Sequence, residues 1–211
     1  LKRMHLEYVD IFYHHRPDPD TPLEETMGAV SDIIKSGKAL YAGISNYKSE
    51  QTREAAAILA ANGTPLLINQ FRYNMFDRWS ETDHLTDTLA EVGAGSITFS
   101  PLAQGLLSDK YFDGIPGHSR ASLNHFLKAD SITPEKIAEV RKLNEIARGR
   151  AQTLTEMALS WNLRNNRVTT VLIGAHNPEQ IEENVKIINH LDFTQEELDG
   201  IDAVLNNDRA I

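Results

Sequence analysis

Apolar, β-rich runs recur along this 211-residue chain at residues 8–13, 39–44, 66–71, 96–99 and 169–173. The first four begin about 30 residues apart, the size of one strand–helix unit. They are near-continuous rather than alternating, which predicts parallel strands buried on both faces. Helical patterns with start and stop signals lie between them. Thr21-Pro22-Leu23-Glu24 reads as a capping box with proline at the first helical position, and Gly37 as the stop of that helix. The alanine-rich stretch 52–61 stops at Asn62-Gly63. Thr133-Pro134 opens a helix to about residue 148, with Ile137, Val140, Leu143 and Ala147 on one face. Thr153 and Glu156 cap the next, which buries Leu154, Met157, Ala158 and Trp161, while Asn177-Pro178 and Thr194 start two more. The longest irregular stretch, 103–132, has the length of a functional or disordered loop.

Alternation of strand and helix predicts a parallel sheet with helices outside it. Two architectures follow, a doubly wound open sheet or a (β/α)8 barrel. No glycine-rich phosphate fingerprint follows any strand, so the first has little support. Polar residues gather instead just after strand ends: His14 and His15, Ser45 and Asn46, Gln70, Ser100, Gly174 and His176. A barrel carries its chemistry on that rim. A complete barrel takes about 250 residues and eight strands, and five strands are legible here. The expectation is one α/β domain over 1–211, an incomplete (β/α)8 barrel.

Charge and composition narrow the function classes. A net charge of -9 argues against a nucleic-acid groove or an anionic membrane surface as partner. The chain has no cysteine, so it has no disulfide framework and no thiolate metal site, and a reducing cytoplasm is allowed. No apolar stretch is long enough to span a bilayer, and no signal peptide is visible.

Tyr8-Val9-Asp10-Ile11-Phe12-Tyr13-His14-His15-Arg16-Pro17 places two histidines at a strand end. Neighbours on a strand point to opposite faces, so only one of the pair can enter a barrel mouth. On residues alone, a half-buried structural histidine is the commoner role for either.

Five runs, in order and spacing, resemble the aldo-keto reductase superfamily: Asp10 to His15, Gly43-Ile44-Ser45-Asn46, Asn69-Gln70, Phe99-Ser100-Pro101-Leu102-Ala103-Gln104-Gly105, and Leu172 through Gln180. The resemblance covers essentially the whole chain. The 105–111 and 114–122 runs look like the branch holding potassium-channel β subunits and bacterial L-glyceraldehyde 3-phosphate reductases. The Gly37-Lys38-Ala39-Leu40-Tyr41 stretch leans toward the bacterial reductases. By this resemblance the five strands are the fourth to the eighth of a barrel. The family's catalytic Asp, Tyr and Lys would then lie upstream, on about 120 residues forming three further units. The chain is accordingly expected to be an N-terminally truncated fragment, inactive alone, of an NADPH-dependent reductase of small aldehydes and ketones such as L-glyceraldehyde 3-phosphate or methylglyoxal. A nucleotide-sensing regulatory subunit is the alternative, and a tetramer or larger homo-oligomer is expected of the whole protein.

The resemblance also assigns residues. His15 matches the histidine that orients the substrate carbonyl, and His14 stays structural. Ser45, Asn46 and Gln70 match positions that hold the nicotinamide carboxamide, for which an amide offers both donor and acceptor. Phe99 matches the ring that stacks on the nicotinamide, where Tyr or Trp is common. Ser100, Leu102, Gly105, Lys110 and Arg120 match the pyrophosphate and 2′-phosphate region. Two local cations there would let an acidic chain hold an anionic NADP(H). Gly174 to Asn184 supplies a strand end and a helix N-terminus suited to anions; Gln180, Glu183 and Asn184 match adenosine-contacting positions, and His176 stands where the family often has a small polar residue, at the 2′-phosphate. No metal is implied.

Overall fold

The computed structural model describes residues 1–117, 119–123 and 127–206; His118, within the 114–122 run, lies outside them. In chain order the elements are β1 Val9–His14, α1 Leu23–Lys35, β2 Ala39–Ser45, α2 Ser49–Ala61, β3 Leu66–Arg72, α3 Trp79–Thr82, α4 Leu85–Val92, β4 Gly95–Phe99, α5 Pro134–Gly149, α6 Leu154–Leu163, β5 Thr170–Val171, α7 Pro178–Val185 and α8 Gln195–Asn206. The sheet order is β1-β2-β3-β4-β5, and the first three pairings are parallel. The chain packs as two compact units. The first comprises Leu1–Arg72, Arg78–Phe99 and Arg167–Thr170; the second comprises Tyr73–Asp77, Ser100–Asn166 and the residues from Val171 onward.

In the first unit, one face of the sheet is closed by helices. Phe12, Ala42, Ile44 and Leu66 pack there with Met27, Val30, Tyr47, Ala55 and Leu59. Each such aliphatic side chain contributes on the order of 2 kcal/mol when fully buried. The opposite face, called the open face below, carries Ser45 and Ile68, which are buried, and Tyr41, which is 50% exposed. The near-continuous apolar pattern accordingly goes with central strand residues that are buried on both faces, Ala42 and Ile44 on one and Ser45 and Ile68 on the other.

A register shift between Ala42 and Gly43 organises that open face. Ala42 pairs with Leu66, yet Gly43 pairs with Ile68, so Leu67 is the extra residue of a bulge. Gly43 in turn pairs with Tyr13. A Cβ on Gly43 would lie 2.7 Å from Tyr13 Cδ1 and 2.9 Å from Ile11 Cγ2, which places those side chains across it on the open face.

Several element ends differ from expectation. Thr21 does not cap α1; Pro22 occupies the cap position, and the Thr21 hydroxyl donates to Asp18 Oδ2 at 2.7 Å. The nearby carboxylate in the Asp18-Pro19-Asp20 turn competes successfully for it. Helix α2 starts at Ser49 rather than residue 52, because the Asp83 carboxylate accepts from Ser49 N at 2.7 Å and from its hydroxyl at 2.9 Å. Strand β5 is two residues long. Before it, Ser96 N donates to Thr169 Oγ1 at 3.0 Å and Thr169 N to Ser96 Oγ at 3.1 Å, so side chains replace ladder bonds. Gly37 follows the end of α1 with φ +73°, a backbone state that glycine adopts without steric cost.

The second unit holds α5 to α8 and the 103–132 stretch. Among its described residues, that stretch has single 3-10 turns at Ala103–Gly105, Asp109–Tyr111 and Ala129–Ser131 and a small cluster of Tyr111, Ala121 and Leu127. Arg150 joins α5 to α8. Its side chain is 2% exposed, with Nη1 2.5 Å from Glu197 Oε2, Nε donating to Gln152 Oε1 at 2.9 Å and Nη2 to Asp192 O at 2.9 Å. Its guanidinium also lies 3.6 Å from the Phe193 ring centroid. Removing one partner of such a buried pair leaves the other charge uncompensated. Arg150→Ala is expected to lower stability by about 3 kcal/mol, read as a lower urea midpoint; an unchanged midpoint would show that the network contributes nothing.

Candidate active site

The sequence-predicted residues separate by strand face. Parallel register aligns His14, Ile44, Asn69 and Ser96, and the next positions carry Ser45, Gln70 and Ile97. His15, one residue beyond β1, extends that second row by alternation. His15, Ser45, Gln70 and Ile97 thus share the open face at the C-terminal ends of four strands. Arg72 and Phe99, paired with each other, form the row after it.

The helix-side row is a polar clamp. His14 Nδ1 lies 2.7 Å from the hydroxyl of Tyr47, with the rings edge-on at 5.9 Å. Tyr47 is fully buried, and burial pushes its phenol pKa up to about 12, so the hydroxyl keeps its proton. It donates to Nδ1 in the neutral tautomer protonated at Nε2. Asn69 Nδ2 donates to Tyr47 O at 3.0 Å and to Thr52 Oγ1 at 3.2 Å. Sequence reasoning missed Tyr47 and Asn69 as partners here. The only local signal was an aromatic residue directly after Asn46.

Asn46 links the two rows. Its φ of +61° lies in the left-handed region that asparagine tolerates better than most residues. Its backbone N donates to Gln70 O at 2.8 Å. Its Nδ2 donates to Ser45 Oγ at 3.0 Å and to His15 O at 3.2 Å. The Asn46 amide therefore ties together the ends of β1, β2 and β3. Among the described residues, the Gln70 carboxamide and the His15 imidazole make no hydrogen bond, and the His15 side chain is exposed.

The second unit holds the remaining predicted residues. Ser100 has φ +55° and its carbonyl accepts from Asn74 Nδ2 at 3.0 Å. Ala103, Gln104 and Gly105 follow with φ of +47°, +61° and +98°. This run of left-handed residues makes a tight turn in which Leu102 O accepts from Gly105 N at 2.8 Å and Leu107 N at 3.1 Å. The backbone N–H groups of Ala103, Gly105, Leu106 and Leu107 are engaged inside the turn. Lys110 and Arg120 are exposed and form no ion pair among the described residues. An anion at this loop would thus be met by side-chain cations rather than by those four N–H groups.

Gly174, His176, Gln180 and Glu183 are exposed and Asn184 is half-buried, at the start and along one side of α7. Asn177 Oδ1 caps α7 by accepting from Gln180 N at 3.0 Å. Gln180 Oε1 accepts from His176 N at 2.9 Å, so its carbonyl end is engaged and its NH2 remains. Among the described residues no group of three His, Cys, Asp or Glu side chains is placed to hold a metal ion. No helix among them is long and apolar enough to cross a membrane.

Comparison with known proteins follows the same residues. The profile of the Aldo/keto reductase family matches residues 1–206. The L-glyceraldehyde 3-phosphate reductases of Escherichia coli O157:H7 and of Escherichia coli strain K12 are each 50% identical over 207 residues, which covers 96% of this chain and 60% of theirs. The chain therefore spans 60% of the length of these curated relatives. A crystal structure of a thermostable aldo-keto reductase in complex with the inhibitor epalrestat superposes with a TM-score of 0.71 at 26% identity, covering 96% of this chain and 62% of that one.

The His14–Tyr47 clamp has a pH signature. Burial, and secondarily the neighbouring His15, hold the His14 pKa below its ordinary 6.5, while Asp18 opposes them. The unfolded chain then takes up a proton at His14 more readily than the folded one. The clamp's contribution is complete above pH 6.5 and is lost as pH falls through that value and on through the lower folded pKa. The urea midpoint is expected to drop between pH 7.5 and pH 5, and His14→Phe should flatten part of that drop. Tyr47→Phe, which removes only the hydroxyl, should lower stability at pH 7.5 by about 1 kcal/mol; wild-type stability for that variant would show the bond to be inconsequential.

Proposed function

The chain belongs to the aldo/keto reductase family, and from that premise we propose that the protein it comes from reduces small aldehydes and ketones to alcohols with NADPH. The observation that carries this reading is the open-face rim of His15, Ser45 and Gln70, with Phe99 in the next row. It offers an imidazole, a hydroxyl, a carboxamide without a protein partner and an aromatic face at the ends of adjacent strands. That donor set suits a planar ring bearing a carboxamide, because an amide pairs with an amide as donor and acceptor together. NADPH, when bound, supplies the hydride.

The chain's own residues do the remaining work named here. Gln70 and Ser45 would hold the carboxamide, and the Asn46 Oδ1 is available to accept from it while its Nδ2 fixes the strand ends. Phe99 presents a face for stacking but lacks the polar handle of Tyr or Trp. Lys110 and Arg120 would meet the phosphates with charge-assisted hydrogen bonds. Gln180, Glu183 and Asn184 would contact the adenosine. His15 would donate a hydrogen bond to the substrate carbonyl oxygen, stabilising the negative charge that grows there. The activity for which the Escherichia coli relatives are named supports L-glyceraldehyde 3-phosphate as substrate, with methylglyoxal a second small carbonyl.

In the full-length protein, His15→Ala is expected to lower kcat by about 100-fold or more while leaving NADPH affinity nearly unchanged, since its bond forms in the transition state. An unaltered kcat removes His15 from the chemistry. Arg120→Ala should weaken NADPH by about tenfold and NADH much less, as expected for a lost charge-assisted contact to a phosphate. Equal losses for the two nucleotides would count against 2′-phosphate recognition. Assayed beside the full-length protein, the 211-residue polypeptide is expected to show no aldehyde turnover.

A further inference from the structure

A buried hydroxyl in the second unit stands without a partner. Tyr111 is 2% exposed and packs with Ala121 and Leu127, with Leu106, Ile132 and Ile137 against them. Among the described residues its hydroxyl makes no hydrogen bond. A buried phenol in that state forgoes the bonds it would make to water in the unfolded chain, and native proteins tolerate few such groups. The neighbouring hydroxyl of the same turn is committed. Ser108 Oγ donates to Gly105 O at 2.6 Å and accepts from Lys110 N at 3.3 Å.

The surroundings of the Tyr111 hydroxyl limit what can engage it. Gly105 has φ +98°, a backbone state that glycine adopts without steric cost. A Cβ on Gly105 would lie 3.7 Å from Tyr111 Cε2, 4.0 Å from the Tyr111 hydroxyl and 4.0 Å from Lys110 Cδ. The bare Gly105 backbone, the phenol and the lysine stem thus converge on one point of the turn. Glycine at such a point allows a ligand to approach the backbone closely. The Lys110 side chain is exposed and forms no ion pair among the described residues, and its four-carbon stem is flexible. Phenol and ammonium are both donors, and their bonds to an ionised acceptor are stronger than those to a neutral one. The N–H groups of Ala103, Gly105, Leu106 and Leu107 are engaged inside the turn, so side-chain donors are what it has to offer an anion. Building on the reductase reading above, we propose that the Tyr111 hydroxyl donates to a pyrophosphate oxygen of the bound dinucleotide, the Lys110 stem giving way as its amine is drawn to the same group.

The test uses the full-length protein and Tyr111→Phe, which keeps the ring and removes only the hydroxyl. Dissociation constants for NADPH and NADH are read by fluorescence titration, and the urea midpoint is read without nucleotide. The variant is expected to bind both nucleotides about 10- to 100-fold more weakly, the size of a lost hydrogen bond to a charged group. Its nucleotide-free midpoint is expected to rise, because a buried group without a partner has been removed. Unchanged affinities overturn the proposal. A lowered midpoint also overturns it, since the hydroxyl would then have an ordered water as its partner in the folded protein. A loss confined to NADPH overturns it as well, because the contact would then serve the 2′-phosphate. If the unsubstituted protein binds neither nucleotide, the reductase reading itself fails and the assignment falls with it.

Discussion

The register shift between Ala42 and Gly43 decides which side chains can act together. Strand side chains alternate with a period of two, so a slip of one residue exchanges the faces of everything downstream. With Leu67 accommodated as the extra residue, Gln70 stands beside Ser45 on the open face and Asn69 faces the helices. Without it, Asn69 would take the place beside Ser45, and Gln70 would turn into the apolar packing of α2 and α4. Tyr13 and Ile11 help to fix the same register, because Gly43 leaves them the space a Cβ would occupy. The parallel α/β sheet is that of a partial barrel, and its chemistry depends on this one irregularity.

Around that row, neighbouring residues divide the work between holding and acting. His14 turns to the helix side, where the buried Tyr47 hydroxyl engages it. His15 is left exposed on the other face with its carbonyl anchored by Asn46. Asn46 takes a left-handed backbone conformation to do this, a strained state maintained because its N–H and its amide both find partners. Rigid backbone with uncommitted side chains is what a site needs if its ligand is to supply the missing hydrogen bonds.

The residues proposed to meet the cofactor phosphates follow a different logic. The 103–107 turn closes on its own backbone N–H groups, so under the proposed function recognition of an anion there would fall to the long cations Lys110 and Arg120. Net negative charge over the whole chain and positive charge at a few chosen positions are compatible, because screening confines each cation's influence to about 8–10 Å at physiological salt.

The sequence by itself determined the alternation of strand and helix, most helix ends and the strand-end positions where polar residues gather. Those follow from local chemistry: Thr133, Thr153, Asn177 and Thr194 cap the helices behind them because each side-chain oxygen meets a backbone N–H three residues on. Thr21 failed the same test because Asp18 lay within reach of its hydroxyl. What only the tertiary structure decided is the face of each strand and the partner of each polar group. The Tyr47 partner of His14 lies 33 residues away, and the Asp83 that starts α2 lies 34 residues beyond Ser49. The bulge at Leu67 leaves no mark in a run of apolar residues. Local composition encodes what a residue prefers within one turn of chain, whereas strand register is settled by packing between segments far apart in sequence.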